Sequence, residues 1–212
     1  VLHGKELINW QLDGLHGAGI KSIAVVRGYL AETFDFDLTY FENIRWAETN
    51  MVMSLISAED WLLNNICITS YSDIAYSDDA VKLLKSSPHD IVMTYDPNWK
   101  KLWSVRFDDP LSDAETFSLD GDRVIEIGSR PESLEEIEGQ FMGLVKFTPL
   151  GWQKVKVYLE QFNQSDLDKM DMTILLQGLI KSNIAVYATP IGDPWFEVDS
   201  ENDLIVYEEK FS

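Results

Sequence analysis

The chain has one cysteine, three histidines and no hydrophobic run of membrane-spanning length among its 212 residues. Its single thiol, Cys67, cannot form a disulfide within the chain, which is typical of a protein in a reducing compartment. The histidines, His3, His16 and His89, lack the spacing of a zinc site. With no apolar segment of about 20 residues and no visible signal peptide, we predict a cytoplasmic protein.

Positive charge is also scarce. Lys and Arg number 17 against 36 Asp and Glu, which gives a formal net charge of −19. Such a surface repels nucleic-acid phosphates and anionic membranes, so we expect neither as a partner. It repels nucleotides as well, so a nucleotide site in this chain needs a metal ion or a local group of basic side chains.

Apolar residues, by contrast, are plentiful. They make up 45% of the chain, and seven of the residues are Trp. A chain of this length and composition can bury a substantial core and is not disordered. Because no internal repeat, low-complexity tract or linker divides the sequence, we predict one domain that covers residues 1–212.

The hydrophobic pattern alternates between helical and strand periods. This predicts an α/β fold with a mainly parallel mixed sheet flanked by helices. Residues 102–107, 116–119 and 124–127 are interpreted as three successive strands of a small antiparallel β insertion, with a hairpin turn signal at Asp120-Gly121-Asp122. The other predicted strands cover residues 20–26, 37–41, 66–70, 90–95, 140–147, 184–189 and 195–198, and the predicted helices cover residues 5–18, 51–63, 79–85, 149–162, 171–182 and 200–208.

One acid follows the predicted strand of residues 66–70. That strand ends in small polar residues, and Asp73 comes before a helix start at Ser77. Ligands of open α/β sheets bind beyond the carboxyl ends of strands, where an acid can hold a divalent metal ion over a phosphate. Asp is also a common turn residue without further function. The local sequence therefore leaves both interpretations open.

A second acid repeats this arrangement near the end of the chain. The predicted strand of residues 195–198 ends at Asp199, and a helix begins at Ser200. If the two strands lie in one sheet and run the same way, Asp73 and Asp199 lie at one edge and share a Mg²⁺ ion with substrate phosphates. In the alternative interpretation, Asp199 only neighbours a helix cap and Glu197 is a solvated charge.

The helix start at Asn50 is a third candidate. The positive end of a helix attracts anions, so Thr49, Asn50 and Ser54 are candidates for contact with the substrate or nucleotide. Asn is also among the most frequent helix caps, so Asn50 can serve as a cap alone while Ser54 lies at the surface.

Six segments follow one another along the chain: His3-Gly4-Lys5 with Leu7-Ile8, Gly17-Ala18-Gly19-Ile20, Thr49-Asn50-Met51-Val52 with Ser54-Leu55, Tyr71-Ser72-Asp73-Ile74, residues 139–143, and Trp195-Phe196-Glu197-Val198-Asp199 before Asp203-Leu204. In order and spacing they resemble the small nucleotidyltransferases that make CDP- or NDP-linked metabolites. The nearest group is the phosphocholine and 2-aminoethylphosphonate cytidylyltransferase-like one. The resemblance covers essentially the whole chain.

The resemblance implies a Rossmann-like, glycosyltransferase-A-type fold and an enzyme that transfers CMP from CTP to a small phosphate or phosphonate with release of pyrophosphate. It implies that Asp73 and Asp199 are the catalytic carboxylates and that they hold Mg²⁺. CTP, or another NTP, and the small substrate are the expected partners, and a homodimer is left open. The expected substrate contacts are Thr49, Asn50, Ser54, Tyr71, Ser72, Trp195 and Glu197.

The family opens with a strand and a glycine-rich loop that wraps the triphosphate, followed by a Lys. The sequence begins at Val1, downstream of any such segment, so we expect residues 1–212 to lack that strand and loop. Two alternatives to the cytidylyltransferase remain: a sugar-1-phosphate nucleotidyltransferase and a non-catalytic nucleotide-binding fragment.

The substrate headgroup is open at this stage. A quaternary ammonium group prefers aromatic faces, whereas a primary amine prefers carboxylates. The aromatic-rich middle of the chain favours a small headgroup over a sugar ring. The candidates are Trp103, Tyr95, Trp195 and Phe141 for the rings, Asp171 and Glu197 for the carboxylates, and Arg106, Arg130 and Lys146 for the substrate phosphate.

Overall fold

A six-stranded sheet is the centre of the computed structural model, which describes residues 1–192 and 194–210. The sheet carries helices on both faces, so the predicted α/β class is confirmed. In spatial order the strands are β3 (Cys67–Ser70), β8 (Gln140–Phe147), β5 (Ile91–Asp96), β9 (Tyr187–Pro190), β7 (Arg123–Ile127) and β6 (Phe117–Asp120).

Strand direction in this sheet is more mixed than the sequence predicts. Strands β3, β5, β9 and β6 run one way, and β8 and β7 run the other way. Because each reversed strand sits between strands of the first direction, β5–β9 is the one parallel pairing among the five in this sheet. The hairpin at Gly121, with φ of +64°, is as predicted, but it extends the edge of the central sheet.

Two further sheets have two strands each. Strands β1 (Ala24–Arg27) and β2 (Thr39–Glu42) are parallel. Strands β4 (Ile74–Ala75) and β10 (Phe196–Glu197) are antiparallel. The second of these small sheets matters for function, because one candidate acid precedes β4 and the other follows β10.

The central sheet separates two hydrophobic cores. One contains α2 (Met51–Ile56), α3 (Glu59–Asn64), α6 (Pro149–Leu159) and α8 (Met172–Lys181). The other contains α1 (Leu7–Gly17), α4 (Asp78–Ser86), α5 (Trp99–Arg106) and α9 (Glu201–Lys210). None of the helices in the described part of the chain combines the length and apolar character needed to span a bilayer. Helix α7 covers Gln164–Leu167.

The strand predicted over residues 102–107 is wrong, since this segment belongs to helix α5. The buried residues of α5 are Trp99, Leu102, Trp103 and Arg106, which follow a helical spacing. In the sequence this helical period is hard to see, because Arg106 is a charged residue at a position that the period requires to be buried. A buried Arg completes the inner face of the helix.

The predicted helix of residues 51–63 is two short helices, α2 and α3. The break falls at Ser57 and Ala58. The Ser57 hydroxyl donates to the carbonyl of Met53 at 3.2 Å, a bond back to the preceding turn that disfavours continuation. Glu59 and Asp60 then favour a new helix N-terminus through their negative charge.

Helix α6 begins as its sequence predicts. Pro149 is the first helical residue, and the Thr148 hydroxyl accepts from the Gly151 amide at 3.0 Å. The same hydroxyl donates to Asp90 at 2.7 Å, and Lys154 donates to the other Asp90 oxygen at 2.8 Å. The Lys154 ammonium, with the Thr148 hydroxyl, lowers the pKa of Asp90.

We expect Asp90→Asn to lower the free energy of unfolding at pH 7 and to have a smaller effect in acid. A lowered folded-state pKa contributes stability above the unfolded value of about 3.9, and that contribution is lost as the pH falls through the folded value. Urea titrations at pH 7 and at pH 2.5 measure the difference. An equal loss at both pH values would contradict the ionic role of Asp90.

Candidate active site

Asp73 and Asp199 come together through the small β4–β10 sheet. Asp73 precedes β4, Asp199 follows β10, and the Val198 amide donates to the Asp73 carbonyl at 2.8 Å. The strand of residues 66–70 is β3 of the central sheet, whereas β10 pairs with β4, so the two predicted strands do not lie in one sheet. Because β4 and β10 are antiparallel, the start of one lies beside the end of the other, and both acids lie at the same end of this small sheet.

Arg106 holds the segment that carries the second acid. Its side chain is 1% exposed and binds three carboxylates. One terminal nitrogen lies 2.6 Å from Glu197 Oε2, and the other lies 2.6 Å from Asp199 Oδ2. Nε donates to Asp203 Oδ1 at 3.1 Å. A single guanidinium therefore positions three acids of one short segment.

Asp203 completes this arrangement from the first turn of α9. Its Oδ2 accepts from the Ser200 amide and hydroxyl, both at 2.9 Å, and from the Asp199 amide at 3.1 Å. The Asp203 amide donates back to the Ser200 hydroxyl at 3.3 Å. This reciprocal pair is a capping box and confirms the predicted helix start at Ser200.

Burial changes the pKa values of two acids in this site. It raises the pKa of Asp73, and the neighbouring Asp199 carboxylate raises it further while Arg106 opposes the rise. Burial also raises the pKa of Glu197 to about 7, against the pull of Arg106. Negative charge is therefore costly here and is only partly neutralised, which favours an added cation.

The Asp73 carboxylate has an oxygen suited to a metal ion. Its Oδ1 is buried and has no hydrogen-bond partner among the described residues. Mg²⁺ is commonly held by one or two carboxylates together with waters and substrate phosphates. In the described part of the chain no group of three or more acids, histidines or cysteines forms a metal site. Asp73 and Asp199 nevertheless fit a magnesium ion that takes its remaining ligands from nucleotide phosphates.

Gln11 fixes the loop in front of β4. It is 7% exposed, and its side-chain amide donates to the carbonyls of Tyr71 at 2.8 Å and Ile74 at 2.7 Å. Our sequence interpretation missed this residue. The available signal is a polar side chain on the apolar stripe of α1, four residues after Leu7 and four before Leu15. Arg106 and Asp203 were not recognised as partners either.

Tyr71 lies beside Gly143 of β8. Gly143 has φ of +85°, and a β-carbon there would lie 2.8 Å from the Tyr71 ring. The same ring contacts Phe141, whose centroid is 5.7 Å away in an edge-on arrangement. The missing β-carbon at Gly143 therefore leaves room for the Tyr71 side chain beside β8.

We expect Gly143→Ala to destabilise the protein by about 1–3 kcal/mol, because the side chain adds left-handed backbone strain and a clash with Tyr71. Equilibrium urea unfolding measures the change. Gly121→Ala, which also has positive φ but open space around it, separates the two contributions. Equal losses in both variants would show that the Tyr71 contact adds nothing.

The predicted contacts at the start of α2 have hydrogen-bond partners within the protein. Asn43 donates to the hydroxyls of Thr49 and Ser54, each at 3.0 Å. Asn50 caps α2 through the Met51 amide at 2.8 Å, as predicted. These bonds explain the loop structurally. Contact of Thr49, Asn50 and Ser54 with a ligand stays a prediction.

Trp195 is a core residue in the structure. It is 3% exposed, and its indole N–H donates to Asp96 at 3.1 Å. With Trp103 it lies on one face of the central sheet, whereas Tyr95 and Phe141 pack on the other face. The four rings therefore do not surround one cation, and contact of Trp195 with a substrate stays a prediction. Of the predicted contacts, Tyr71, Ser72 and Glu197 lie next to Asp73 or Asp199 along the chain.

Two basic residues predicted to bind phosphate are engaged elsewhere. Arg106 binds the three carboxylates, and the buried Lys146 donates to the Ser87 carbonyl at the end of α4. A cleft of about 440 Å³ lies between α4 and the residues before β10, but Asp73, Glu197 and Asp199 do not line it. The cleft and the acid cluster are separate features.

Known proteins resemble this chain in sequence and in fold. The CTP:phosphoglutamine cytidylyltransferase of Campylobacter jejuni is 34% identical over 223 residues, which cover 97% of this chain and 88% of that protein. No protein-family model matches the chain. The sequence relative alone is close enough to show family membership.

Solved structures agree at the level of the fold. The inositol-1-phosphate CTP transferase of T. maritima has a TM-score of 0.74 at 21% identity, with 97% of this chain and 82% of that chain covered. The CTP:phosphocholine cytidylyltransferase of Streptococcus pneumoniae has a TM-score of 0.69 at 18% identity, with 100% and 88% covered. The sequence relative shows that the chain belongs to the cytidylyltransferase-like NTP transferase family, and the solved structures share its fold.

Proposed function

We propose that the chain is a Mg²⁺-dependent cytidylyltransferase that transfers CMP from CTP to a small phosphate or phosphonate and releases pyrophosphate. The observation that carries this proposal is the meeting of Asp73 and Asp199 at the β4–β10 sheet, where a buried Asp73 oxygen accepts no hydrogen bond from any described residue. The sequence relative is named for transfer from CTP to phosphoglutamine, which supports CTP as donor and a small phosphorylated acceptor.

The reaction joins two anions. An oxygen of the acceptor phosphate attacks the α-phosphorus of CTP, the bond to the bridging oxygen breaks, and pyrophosphate leaves in line. The acceptor oxygen is already ionised near neutral pH, so the protein needs no general base. Its task is to position the two reactants and to reduce their repulsion, which the formal charge of −19 makes harder.

Asp73 and Asp199 are the residues that would hold Mg²⁺. When bound, the ion neutralises phosphate charge and orients the reacting groups. Arg106 contributes by fixing Asp199 through one carboxylate oxygen and by partly neutralising Glu197 and Asp203. Gln11 holds the loop that carries Asp73. Each reactive acid is therefore oriented by a buried polar side chain from a different helix.

Acceptor contacts belong to the same proposal. Tyr71, Ser72 and Glu197 adjoin the two acids and are the nearest candidates along the chain. Thr49, Asn50 and Ser54 are candidates on the loop before α2. We place the enzyme in the cytoplasm, on the ground that its single cysteine fits a reducing compartment.

The test is pyrophosphate release from the full-length protein with Mg²⁺, a panel of NTPs and a panel of small phosphates. The panel contains 2-aminoethyl phosphate, 2-aminoethylphosphonate, phosphocholine and a sugar 1-phosphate. We expect release with CTP and a small-headgroup acceptor, and its loss on addition of EDTA. Preference for the sugar 1-phosphate would support the sugar nucleotidyltransferase instead. No release with any pair, together with calorimetric binding of CTP, would support a non-catalytic domain.

A further inference from the structure

Strand β10 is too short to fix its own position. Its ladder with β4 consists of two residue pairs, Phe196 with Ala75 and Glu197 with Ile74. A slip of one residue in a strand turns every side chain to the other face, and two pairs specify the register only weakly. Because Asp199 follows this strand, contacts outside the ladder help to determine where that acid lies.

Two contacts hold the C-terminal end of β10. The Tyr207 hydroxyl of α9 donates to the Glu197 carbonyl at 2.7 Å, and Arg106 binds the carboxylates of Glu197 and Asp199. The residue that directly precedes the strand is Trp195, which is 3% exposed. Trp195 is therefore placed to hold the other end.

Asp96 is the anchor for Trp195. The indole N–H of Trp195 donates to Asp96 Oδ2 at 3.1 Å, and the Asn98 amide donates to Asp96 Oδ1 at 2.7 Å. Asp96 is 9% exposed and is the last residue of β5, which is paired on both sides within the central sheet. The Ile191 amide also donates to the Tyr95 carbonyl at 2.9 Å. The segment that leads into β10 is therefore fixed to the central sheet.

The Asp96 carboxylate is buried and is held by N–H groups. No ion pair among the described residues includes it. Burying a charge is costly, and an Asn side chain would accept from the indole without that cost. An Asn has one acceptor oxygen, however, whereas the carboxylate accepts from Trp195 and Asn98 on separate oxygens. The carboxylate therefore joins the indole and the turn after β5 in one fixed geometry.

We propose that Asp96 and Trp195 are positioning residues for the reaction, because their hydrogen bond sets where β10 begins and thereby the separation of Asp199 from Asp73. This inference rests on the proposed function, in which those two acids hold Mg²⁺. Trp195 acts here through β10, without contact to a reactant. A displacement of about 1 Å that originates far from the chemistry can cost about a hundredfold in rate, so the loss of this anchor is measurable.

The test is Mn²⁺ binding by the full-length protein, followed by the free-ion signal in electron paramagnetic resonance. Trp195→Phe removes the N–H donor and keeps an aromatic ring in the core. We expect it to weaken Mn²⁺ binding about threefold to tenfold, below the roughly tenfold to hundredfold effect of groups that touch a metal ligand directly. Asp96→Asn should weaken binding by a similar factor. The double variant should add little, because both substitutions act on one hydrogen bond.

Trp10→Phe is the matched control. The Trp10 indole N–H also donates at 3.1 Å, to the Leu2 carbonyl, but that bond joins α1 to the segment before it. This variant should keep wild-type Mn²⁺ affinity. Thermal unfolding of each variant shows that it is folded at the temperature of the titration. A purely structural role of Trp195 would lower the Tm of Trp195→Phe and leave the Mn²⁺ affinity of the folded protein unchanged, which would contradict the inference.

Two further results would overturn it: equal weakening of Mn²⁺ binding in Trp10→Phe, and fully additive losses in the double variant. Pyrophosphate release by the same preparations separates this inference from the proposed function. Turnover by the wild type, together with unchanged Mn²⁺ affinity in Trp195→Phe, would overturn the inference alone. Mn²⁺ binding that Trp195→Phe weakens, in a protein that turns over no acceptor, would support the inference and contradict the enzyme.

Discussion

Arg106→Leu is expected to lower the free energy of unfolding by about 3–5 kcal/mol, because it leaves Glu197, Asp199 and Asp203 without their shared cation. Two of these carboxylates are substantially buried, so water cannot replace the lost guanidinium fully. Equilibrium unfolding in urea, read by Trp fluorescence, measures the loss. Arg106→Lys keeps the positive charge but loses the guanidinium that binds three carboxylates. Its free energy of unfolding should lie between those of the wild type and Arg106→Leu.

Arg45→Leu is the matched control for this prediction. Arg45 also pairs with a carboxylate, Asp168, but its side chain is 40% exposed. Ion pairs open to solvent contribute little to stability, so a much smaller loss is expected. Similar losses in the two variants would show that the Arg106 cluster is no more than a surface ion pair.

Asp73→Asn is expected to reduce kcat/KM about a thousandfold, since a metal ion that neutralises the reacting phosphates supplies several kcal/mol of transition-state stabilisation. The same substitution should increase the stability of the fold. The substitution removes an unpaired, partly buried charge that lies near Asp199, so the free energy of unfolding should rise. Pyrophosphate release and urea unfolding of the same preparation give both quantities.

Asp79→Asn serves as the control for Asp73. Asp79 is an exposed acid in the first turn of α4 with a single surface partner, Lys82. It should keep wild-type kcat/KM. If Asp73→Asn lost activity and stability together, the loss would reflect damage to the fold, and a metal-holding role would have no support.

The local pattern of the sequence predicts most elements of the fold. The hydrophobic period places β5, β8, α4, α6 and α8 nearly at their observed limits, and the caps at Thr148 and Ser200 mark helix starts correctly. These features depend on neighbouring residues only. The sequence interpretation did not identify helix α5, because Arg106 completes its inner face. The three partners of Arg106 lie 91 to 97 residues away in the chain.

The direction and pairing of the strands cannot be predicted from neighbouring residues alone. The order of the central sheet places β8 between β3 and β5, and nothing within residues 140–147 states which strands will flank it. Similarly, the pairing of β4 with β10 is long-range. The sequence interpretation considered one sheet shared by residues 66–70 and 195–198, whereas these strands lie in different sheets and the acids meet through the antiparallel pair β4–β10.

The residues of the candidate site also differ in how well the local sequence predicts them. Asp73 and Asp199 were recognisable because each follows an apolar run and precedes a helix start. Gln11 was missed and Arg106 was given another role, because their hydrogen bonds reach residues that lie 60 to 97 positions away in the chain. Phosphate-binding roles for Arg106 and Lys146 fail for the same reason, as their partners within the protein occupy them.

Mn²⁺ binding, followed by the loss of the free-ion signal in electron paramagnetic resonance, is the most direct test that Asp73 and Asp199 hold one metal ion. Titrations of the full-length protein, with and without CTP, compare wild type, Asp73→Asn, Asp199→Asn and the double variant. The account predicts that either substitution weakens binding at least tenfold and that the second adds little, because both acids serve one ion. Wild-type affinity in either single variant, or fully additive losses, would contradict it.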